Sequence, residues 1–206
     1  LTNGGLAGAL HQVQRGLLCN PASELGGLLR ATESSLAFWL NRFDQADRAA
    51  RAALLQLRPG CLGWCRAMSG AVSGAVNQQD MARVFELVSL VLGTEPDEDA
   101  QAVYIETLSF VFNFVVVIAP MALNQSVLHR IAATVAKAEP ANHTVRRHLC
   151  LTVGVMAMLR EPLPWTFVTE YERAIKLCEQ AGDRQSSFSS RFGIEWVASP
   201  RHADAL

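Results

Sequence analysis

The chain has 206 residues, of which 50% are hydrophobic and 18% are charged, and its formal net charge is −1. This balance is typical of a globular domain and excludes an intrinsically disordered chain. Domains that bind nucleic acid usually carry a basic surplus, so the near-neutral charge argues against that class of partner. By length, we expect one domain or one stretch of a repeat array.

The chain contains five cysteines, an odd number that does not fit a secreted disulfide-rich scaffold. We interpret them as small buried side chains in a reducing compartment and expect a cytoplasmic protein. No positively charged segment precedes an apolar one at the start, so the sequence shows no signal peptide. The first residue is Leu1 and not Met, so we expect part of a longer protein. The cysteines are Cys19, Cys61, Cys65, Cys150 and Cys178.

Residues 44–57 form the first clear amphipathic helix of the sequence. Small and apolar residues recur there at intervals of three and four, which places them on one helix face. Asp44 and Asp47 fall in the predicted first turn, where a carboxylate interacts favourably with free backbone N–H groups. A second amphipathic helix is predicted to begin at the N-cap Asp80 and to stop at Gly93.

Two further amphipathic helices are predicted in the second half of the chain. One is capped by Ser126 and ends before Pro140. In the other, Thr169 and Glu172 have the spacing of a capping box, and Gly182 closes the helix. Longer and more apolar helices are predicted between the amphipathic ones, at 23–42, 61–76, 98–118, 143–160 and about 184–198.

Apolar and amphipathic helices therefore alternate along the chain. If the amphipathic helices end at Leu57, Gly93, Glu139 and Gly182, successive ends are separated by 36, 46 and 43 residues. A recurring step of this size predicts an all-α solenoid of antiparallel helix pairs. We expect a single helical-repeat domain over 1–206 with about four to five helix pairs, the last of them incomplete.

No Asp, Glu, Lys or Arg occurs from Thr107 to Leu128, whereas a transmembrane helix needs roughly 20 apolar residues. Asn113 and Pro120 interrupt the run. We therefore favour a helix buried on both sides inside the solenoid, with a transmembrane helix and a β-strand as the alternatives. If the segment 110–123 is exposed instead, we expect a homodimer through this apolar region.

Small residues recur one turn apart in the predicted helix 61–76. Gly70 and Gly74 are four residues apart, as are Ser69 and Ser73. Glycine inside a helix costs about 1 kcal/mol relative to alanine. The pair of glycines therefore predicts the close approach of a neighbouring helix, and a weak or broken helix is the alternative.

A resemblance to a known family lies in the segment 171–184. Its sequence, YERAIKLCEQAGDR, resembles the second helix and turn of a divergent tetratricopeptide repeat, with a small residue at Ala174 and the turn Ala-Gly-Asp. Phe192-Gly193 and Trp196 match positions of that family's first helix. The stretch 122–199 resembles the degenerate repeats found C-terminal to bacterial serine/threonine kinases and in large ATPase regulators. This resemblance implies a right-handed superhelix of antiparallel helix pairs with an interaction or regulatory role.

Motifs of catalysis and metal binding do not stand out in the sequence. A structural zinc site usually draws its four ligands from two close pairs. Cys61 and Cys65 lie one turn apart, but His148 and Cys150 would diverge on a helix. The sequence has no GxSxG, HExxH, Walker or dinucleotide-binding glycine motif, so we predict no enzymatic activity, no metal and no cofactor. The four tryptophans are predicted to pack in the core or between repeats, and they are Trp39, Trp64, Trp165 and Trp196.

The sequence supports two functional hypotheses. In the first, the chain is a non-catalytic scaffold whose inner helices line a concave groove for a protein or peptide. In the second, it is a regulatory or sensory segment that acts in cis on a bacterial signalling enzyme such as a serine/threonine kinase. The basic cluster 146–148 is a candidate anion contact, with a solvated helix face as the alternative. The candidate partner-binding residues are Arg66, Glu106, Asn113, Arg147, His148 and Met158.

Overall fold

The regular elements in the described part of the chain are all helical, which confirms the predicted all-α class. The computed structural model describes residues 3–116, 121–138, 142–158, 165–184, 186–187, 190–191 and 194–195. Contacts within the chain divide it into two compact units, Leu1–Lys137 and Ala138–Leu206. The single helical-repeat domain over 1–206 stays a prediction.

Helices α1 to α7 belong to the first unit, and α8 and α9 belong to the second. In chain order they are α1 (Asn3–Leu18), α2 (Ser23–Trp39), α3 (Phe43–Leu54), α4 (Leu62–Asn77), α5 (Met81–Gly93), a 3₁₀ turn (Glu98–Ala100), α6 (Gln101–Val115), α7 (Met121–Val135), α8 (His143–Met158) and α9 (Trp165–Gln180). Helices α2 to α9 correspond to the predicted ones, whereas no prediction covered α1. The predicted helix at 184–198 falls largely outside the described residues.

The predicted helix ends are partly right. Asp80 caps α5, since its Oδ1 accepts a hydrogen bond from the backbone N–H of Arg83 at 3.1 Å. Gly182 follows α9 with a φ of +70°, as expected of a stop. Ser126 and Thr169 are wrong as starts, because both lie inside their helices. The Ser126 hydroxyl instead donates to the carbonyl of Ala122, four residues earlier, at 2.9 Å, a local bond that competes with capping.

Helix packing in the first unit joins near neighbours along the chain. α2 contacts α1, α3 and α4, while α4 also contacts α3, α5 and α6, and α6 contacts α7. Leu28 lies against Gly63 and Ser34 against Gly70, so α2 and α4 run parallel. α3 runs antiparallel to both. The buried core between the helices includes Trp64, Met68, Val72, Val84, Val88, Val91, Ile105, Leu108 and Phe112.

Two glycines of α4 are sites of close helix approach, as predicted. A β-carbon at position 70 would lie 2.0 Å from Oγ of Ser34 on α2. A β-carbon at position 74 would lie 2.5 Å from Cβ of Asp47 on α3. Neither distance is compatible with a side chain larger than hydrogen in this arrangement. The alternative of a broken helix is wrong, because α4 continues through both positions.

A buried tyrosine ties the α5–α6 connection to the core. The hydroxyl of Tyr104, fully buried on α6, donates to the carbonyl of Val91 at 2.6 Å and lies 3.1 Å from that of Thr94. Nε of Arg130 on α7 donates to the same hydroxyl at 3.1 Å, and its Nη2 donates to the carbonyl of Thr94 at 2.6 Å. Arg130 also pairs with Glu95. One phenol therefore connects α5, α6 and α7.

Tyr104→Phe is expected to lower the free energy of unfolding by about 1–2 kcal/mol, because the carbonyl of Val91 and Nε of Arg130 lose a buried partner. Urea unfolding followed by circular dichroism measures the effect. Tyr171→Phe is the matched control, since no described residue hydrogen-bonds to the Tyr171 hydroxyl, and its effect should stay within about 0.5 kcal/mol. Equal losses in the two variants would contradict this assignment.

In the second unit, α8 packs against α9. Gly154 on α8 faces the ring of Tyr171, which would lie 3.0 Å from a β-carbon at that position. The rings of Phe167 and Tyr171 are stacked with their centroids 4.1 Å apart. Ala174 is fully buried, which agrees with the small residue expected there.

Candidate interaction surface

Helices α2, α4 and α6 each bury one side and leave one stripe accessible to solvent. We call the surface formed by these stripes the inner face. Along each helix the accessible residues recur at intervals of three and four, which places them on one side. The inner face comprises Leu25, Leu28, Thr32, Ser35 and Trp39 on α2, Leu62, Arg66, Ser69 and Asn77 on α4, and Val103, Glu106, Phe110 and Asn113 on α6.

An aromatic contact joins the two outer helices of the inner face across the middle one. The ring centroids of Phe38 on α2 and Phe110 on α6 are 5.3 Å apart in an edge-to-face arrangement, although α4 packs between these helices. Ser73 of α4, on the same stripe as Ser69 and Asn77, is fully buried and too small to separate the rings. The rings of Phe38 and Phe110 therefore meet above Ser73.

The aromatic cluster extends from this contact to the surface. The ring of Phe38 also meets those of Trp39 and Phe43, with centroids 5.4 and 5.9 Å away, both edge-to-face. Such pairs add roughly 0.5–1.5 kcal/mol beyond their buried area. Trp39 nevertheless keeps 40% of its surface exposed. The cluster thus holds a large aromatic side chain in place at one end of the inner face.

Large apolar side chains are exposed at the opposite end. Leu25 and Leu28 are 53% and 38% exposed. The side of α2 that packs on α3 and α4 includes the small residues Gly26, Gly27 and Ala31. α2 thus exposes Leu25 and part of Leu28 while it turns its small residues to the interior, and Leu29, Leu36 and Phe38 are half-buried.

The polar groups of the inner face lie mainly on α4 and α6. Arg66 is exposed and makes no hydrogen bond or ion pair with the described residues. Glu106 is half-buried and takes part in an intramolecular polar or electrostatic interaction. The Ser69 hydroxyl lies 3.4 Å from that of Thr107, which donates to the carbonyl of Cys65 at 2.8 Å. These hydroxyl bonds connect α4 to α6 beneath the surface.

The six candidate residues from the sequence lie in different environments. Arg66, Glu106 and Asn113 are on the inner face of the first unit. Asn113 is exposed, so water can satisfy its amide. Arg147 and His148 are each only 8% exposed in the second unit, and the alternative of a solvated helix face is wrong for both. The side chain of Met158 lies outside the described residues.

Arg147 and His148 belong to a buried polar cluster. Nη1 of Arg147 donates to Asp183 at 2.5 Å and to the Ser186 hydroxyl at 3.0 Å, and its Nη2 lies 2.6 Å from Nε2 of His148. Burial alone would raise the pKa of Asp183, but hydrogen bonds from Ser186 and the charge of Arg147 outweigh it and lower the pKa. These contacts connect α8 to the segment that follows α9, which is a structural role.

Two other predictions about site residues need correction. Trp64 is buried as predicted, but Trp39 and Trp165 are 40% and 68% exposed, and Trp196 lies outside the described residues. Asp47 is not in the first turn of α3, and it is a buried residue whose carboxylate belongs to a network that includes Arg51 and Arg83. The carboxylate therefore stabilises packing between helices and not a helix end.

The cysteines show no arrangement that would hold a metal. Cys61 caps α4 by accepting from the backbone N–H of Trp64 at 3.4 Å, and burial raises the pKa of the Cys65 thiol to about 12. Cys65 and Cys178 are buried as predicted, whereas Cys19 is exposed. Within the described ranges, no three His, Cys, Asp or Glu side chains lie close enough together to bind one metal ion.

The charge-free run from Thr107 is divided between helices. α6 ends at Val115 and α7 begins at Met121, and residues 117–120 lie outside the described part. Of the helices that the structure describes, none combines the length and apolar character of a membrane span. Val111, Phe112 and Val115 are buried while Phe110 is half-buried. A homodimer through 110–123 stays a prediction.

A scan against protein-family models matches no family, and searches of curated proteins and of solved structures find no match. The resemblance of 171–184 to a tetratricopeptide repeat therefore stays a prediction, and so does the bacterial origin that it suggests.

Proposed function

We propose that the first unit is a protein-interaction module that binds a peptide or a partner segment on its inner face, within a right-handed, tetratricopeptide-like solenoid. The order of helix contacts supports the solenoid. α2 and α4 run parallel with α3 antiparallel between them, and the main contacts join helices no more than two apart along the chain. Stacked helix pairs curve and thereby form concave binding surfaces.

The observation that carries the proposal is the exposure of Leu25, Leu28 and Trp39 along one stripe of α2. Apolar side chains that are exposed side by side mark interaction sites more often than scattered ones do, and Leu25 and Leu28 lie one turn apart on this stripe. Here the stripe borders the contact between Phe38 and Phe110, which joins α2 to α6 across α4. A partner segment that covers this surface would bury Trp39 as well as the two leucines, and tryptophan is among the residues enriched in binding hot spots.

The test compares two leucines of similar exposure. Leu25 lies on the inner face and is 53% exposed, whereas Leu90 lies on α5 away from that face and is 46% exposed. The full chain carrying Leu25→Asp or Leu90→Asp is used to capture cross-linked partners from the source organism, with quantitative mass spectrometry as the readout. We expect Leu25→Asp to reduce partner recovery about tenfold or more, as loss of a hot spot does.

The matched control in this experiment is Leu90→Asp. Leu90→Asp should retain the partners of the wild-type chain, because it adds the same charge at similar exposure on another helix. Circular dichroism verifies that both variants keep their helices. Equal recovery with wild type and Leu25→Asp, or equal loss with both variants, would contradict a binding role for the inner face.

A further inference from the structure

We infer that the partner segment bound by the inner face carries a carboxylate that pairs with Arg66, next to large apolar side chains. This inference rests on the proposed function and adds the chemistry of the ligand. It follows from the charges of the inner face, where only Arg66 and Glu106 ionise near neutral pH. Arg66 makes no ion pair with the described residues, whereas Glu106 is engaged within the chain. The charged group of the inner face that lacks a pair among the described residues is therefore the guanidinium of Arg66.

The position of Arg66 fits this role. It is the exposed residue of α4 between Leu62 and Ser69, on a helix whose other positions along the stretch 63–75 are almost all buried. The guanidinium therefore stands among apolar and hydroxyl-bearing side chains at the middle helix of the inner face. A guanidinium binds a carboxylate through two parallel hydrogen bonds. A partner that covers the neighbouring leucines would shield this pair from water and strengthen it.

A basic partner segment is disfavoured by the same argument. Its ammonium or guanidinium group would be placed beside Arg66 as the apolar side chains dock, and the repulsion between these two like charges would oppose binding. An entirely apolar segment would bury the guanidinium without a partner, which costs free energy. A segment with both a carboxylate and apolar side chains can pair with Arg66 and cover the leucines.

Selection from a random peptide library tests the inference. A display library of 16-residue peptides is selected against the full chain in four forms: wild type, Arg66→Glu, Arg48→Glu and Leu25→Asp. Arg48 is an exposed arginine of α3 without an ion pair among the described residues and lies off the inner face, so it serves as the charge-matched control. Affinities of enriched peptides and of their Glu→Gln and Glu→Lys versions are then measured by fluorescence anisotropy.

The expected result is that wild type and Arg48→Glu enrich apolar peptides containing Asp or Glu. Arg66→Glu should lower the affinity for these peptides about tenfold and should itself enrich peptides that carry Lys or Arg instead of Asp or Glu. If all forms except Leu25→Asp enrich the same peptides whatever their charge, the inner face binds partners but the role of Arg66 is wrong. If the wild type enriches no peptide, or Leu25→Asp enriches the same ones, the proposed function fails as well.

Discussion

Asp47→Ala is expected to destabilise the first unit by about 3–5 kcal/mol, the cost of removing one partner from a buried ion pair. Oδ1 of Asp47 accepts from Arg83 at 2.6 Å, while Oδ2 accepts from Arg51 at 2.9 Å and from Gln78 at 3.2 Å. The Asp47 side chain is 3% exposed and that of Arg83 is 16% exposed. Nη1 of Arg83 already has no hydrogen-bond partner among the described residues, so the variant leaves a largely buried guanidinium uncompensated.

The control for this prediction is Asp44→Ala in the same helix. Asp44 is exposed in the first turn of α3, where a carboxylate contributes about 0.3–1 kcal/mol. Urea unfolding at neutral pH followed by circular dichroism gives both values. Similar losses in the two variants would show that the Asp47 network does not stabilise the fold.

The same carboxylate predicts a pH dependence. Burial alone would raise the pKa of Asp47, but hydrogen bonds from Arg83 and Arg51 more than offset this, and the pKa lies below its usual value. A carboxyl group whose pKa is lower in the folded state stabilises fully above its unfolded pKa of about 3.9. That contribution disappears as the pH falls through the folded pKa. The difference in unfolding free energy between wild type and Asp47→Asn should therefore shrink below about pH 4, and a constant difference would contradict it.

The helices were predictable where the pattern of residues was local. Three predictions used only residues within one or two turns of the position concerned. They are the N-cap at Asp80, the stop at Gly182 and the close approach at Gly70. Helix α1 escaped prediction because its sequence is rich in glycine and only Leu6 and Leu10 are deeply buried. A narrow apolar stripe interrupted by glycines resembles a loop more than a helix.

The candidate site was only partly predictable, because the residues that α2 exposes are large and apolar while several that it buries are small. Prediction from periodicity assumes that large apolar residues point inward, whereas α2 buries glycine and alanine and exposes Leu25, Leu28 and Trp39. The distant hydrogen-bond partners of the buried charged residues could not be predicted from the sequence either. The atoms paired with Asp47 and Arg147 belong to Arg83 and Asp183, each 36 residues away. No local pattern distinguishes such a buried charge from one on a solvated helix face.

Gly70→Ala is expected to destabilise the first unit by about 1–3 kcal/mol, the usual cost of overpacking a tight core. The new β-carbon would lie 2.0 Å from Oγ of Ser34 and 3.4 Å from Cβ of Ala50. α2 and α4 would have to separate, or Ser34 would have to change its rotamer inside the helix interface. Gly8→Ala is the control, because a β-carbon there meets nothing within 4 Å, and the better helix propensity should stabilise by about 0.5–1 kcal/mol.

A second substitution identifies the clash as the cause of the loss. The hydroxyl of Ser34 is buried and has no hydrogen-bond partner in the described part of the chain, so Ser34→Ala alone should be neutral or slightly stabilising. In that background the contact at 2.0 Å is removed, and a β-carbon at position 70 lies 3.3 Å from Cβ of residue 34 and 3.4 Å from Cβ of Ala50. Gly70→Ala should then recover most of its cost and gain the helix propensity of alanine, about 1 kcal/mol. Measured by urea unfolding, a double variant as unstable as Gly70→Ala alone would show that some other contact requires glycine where α2 and α4 meet.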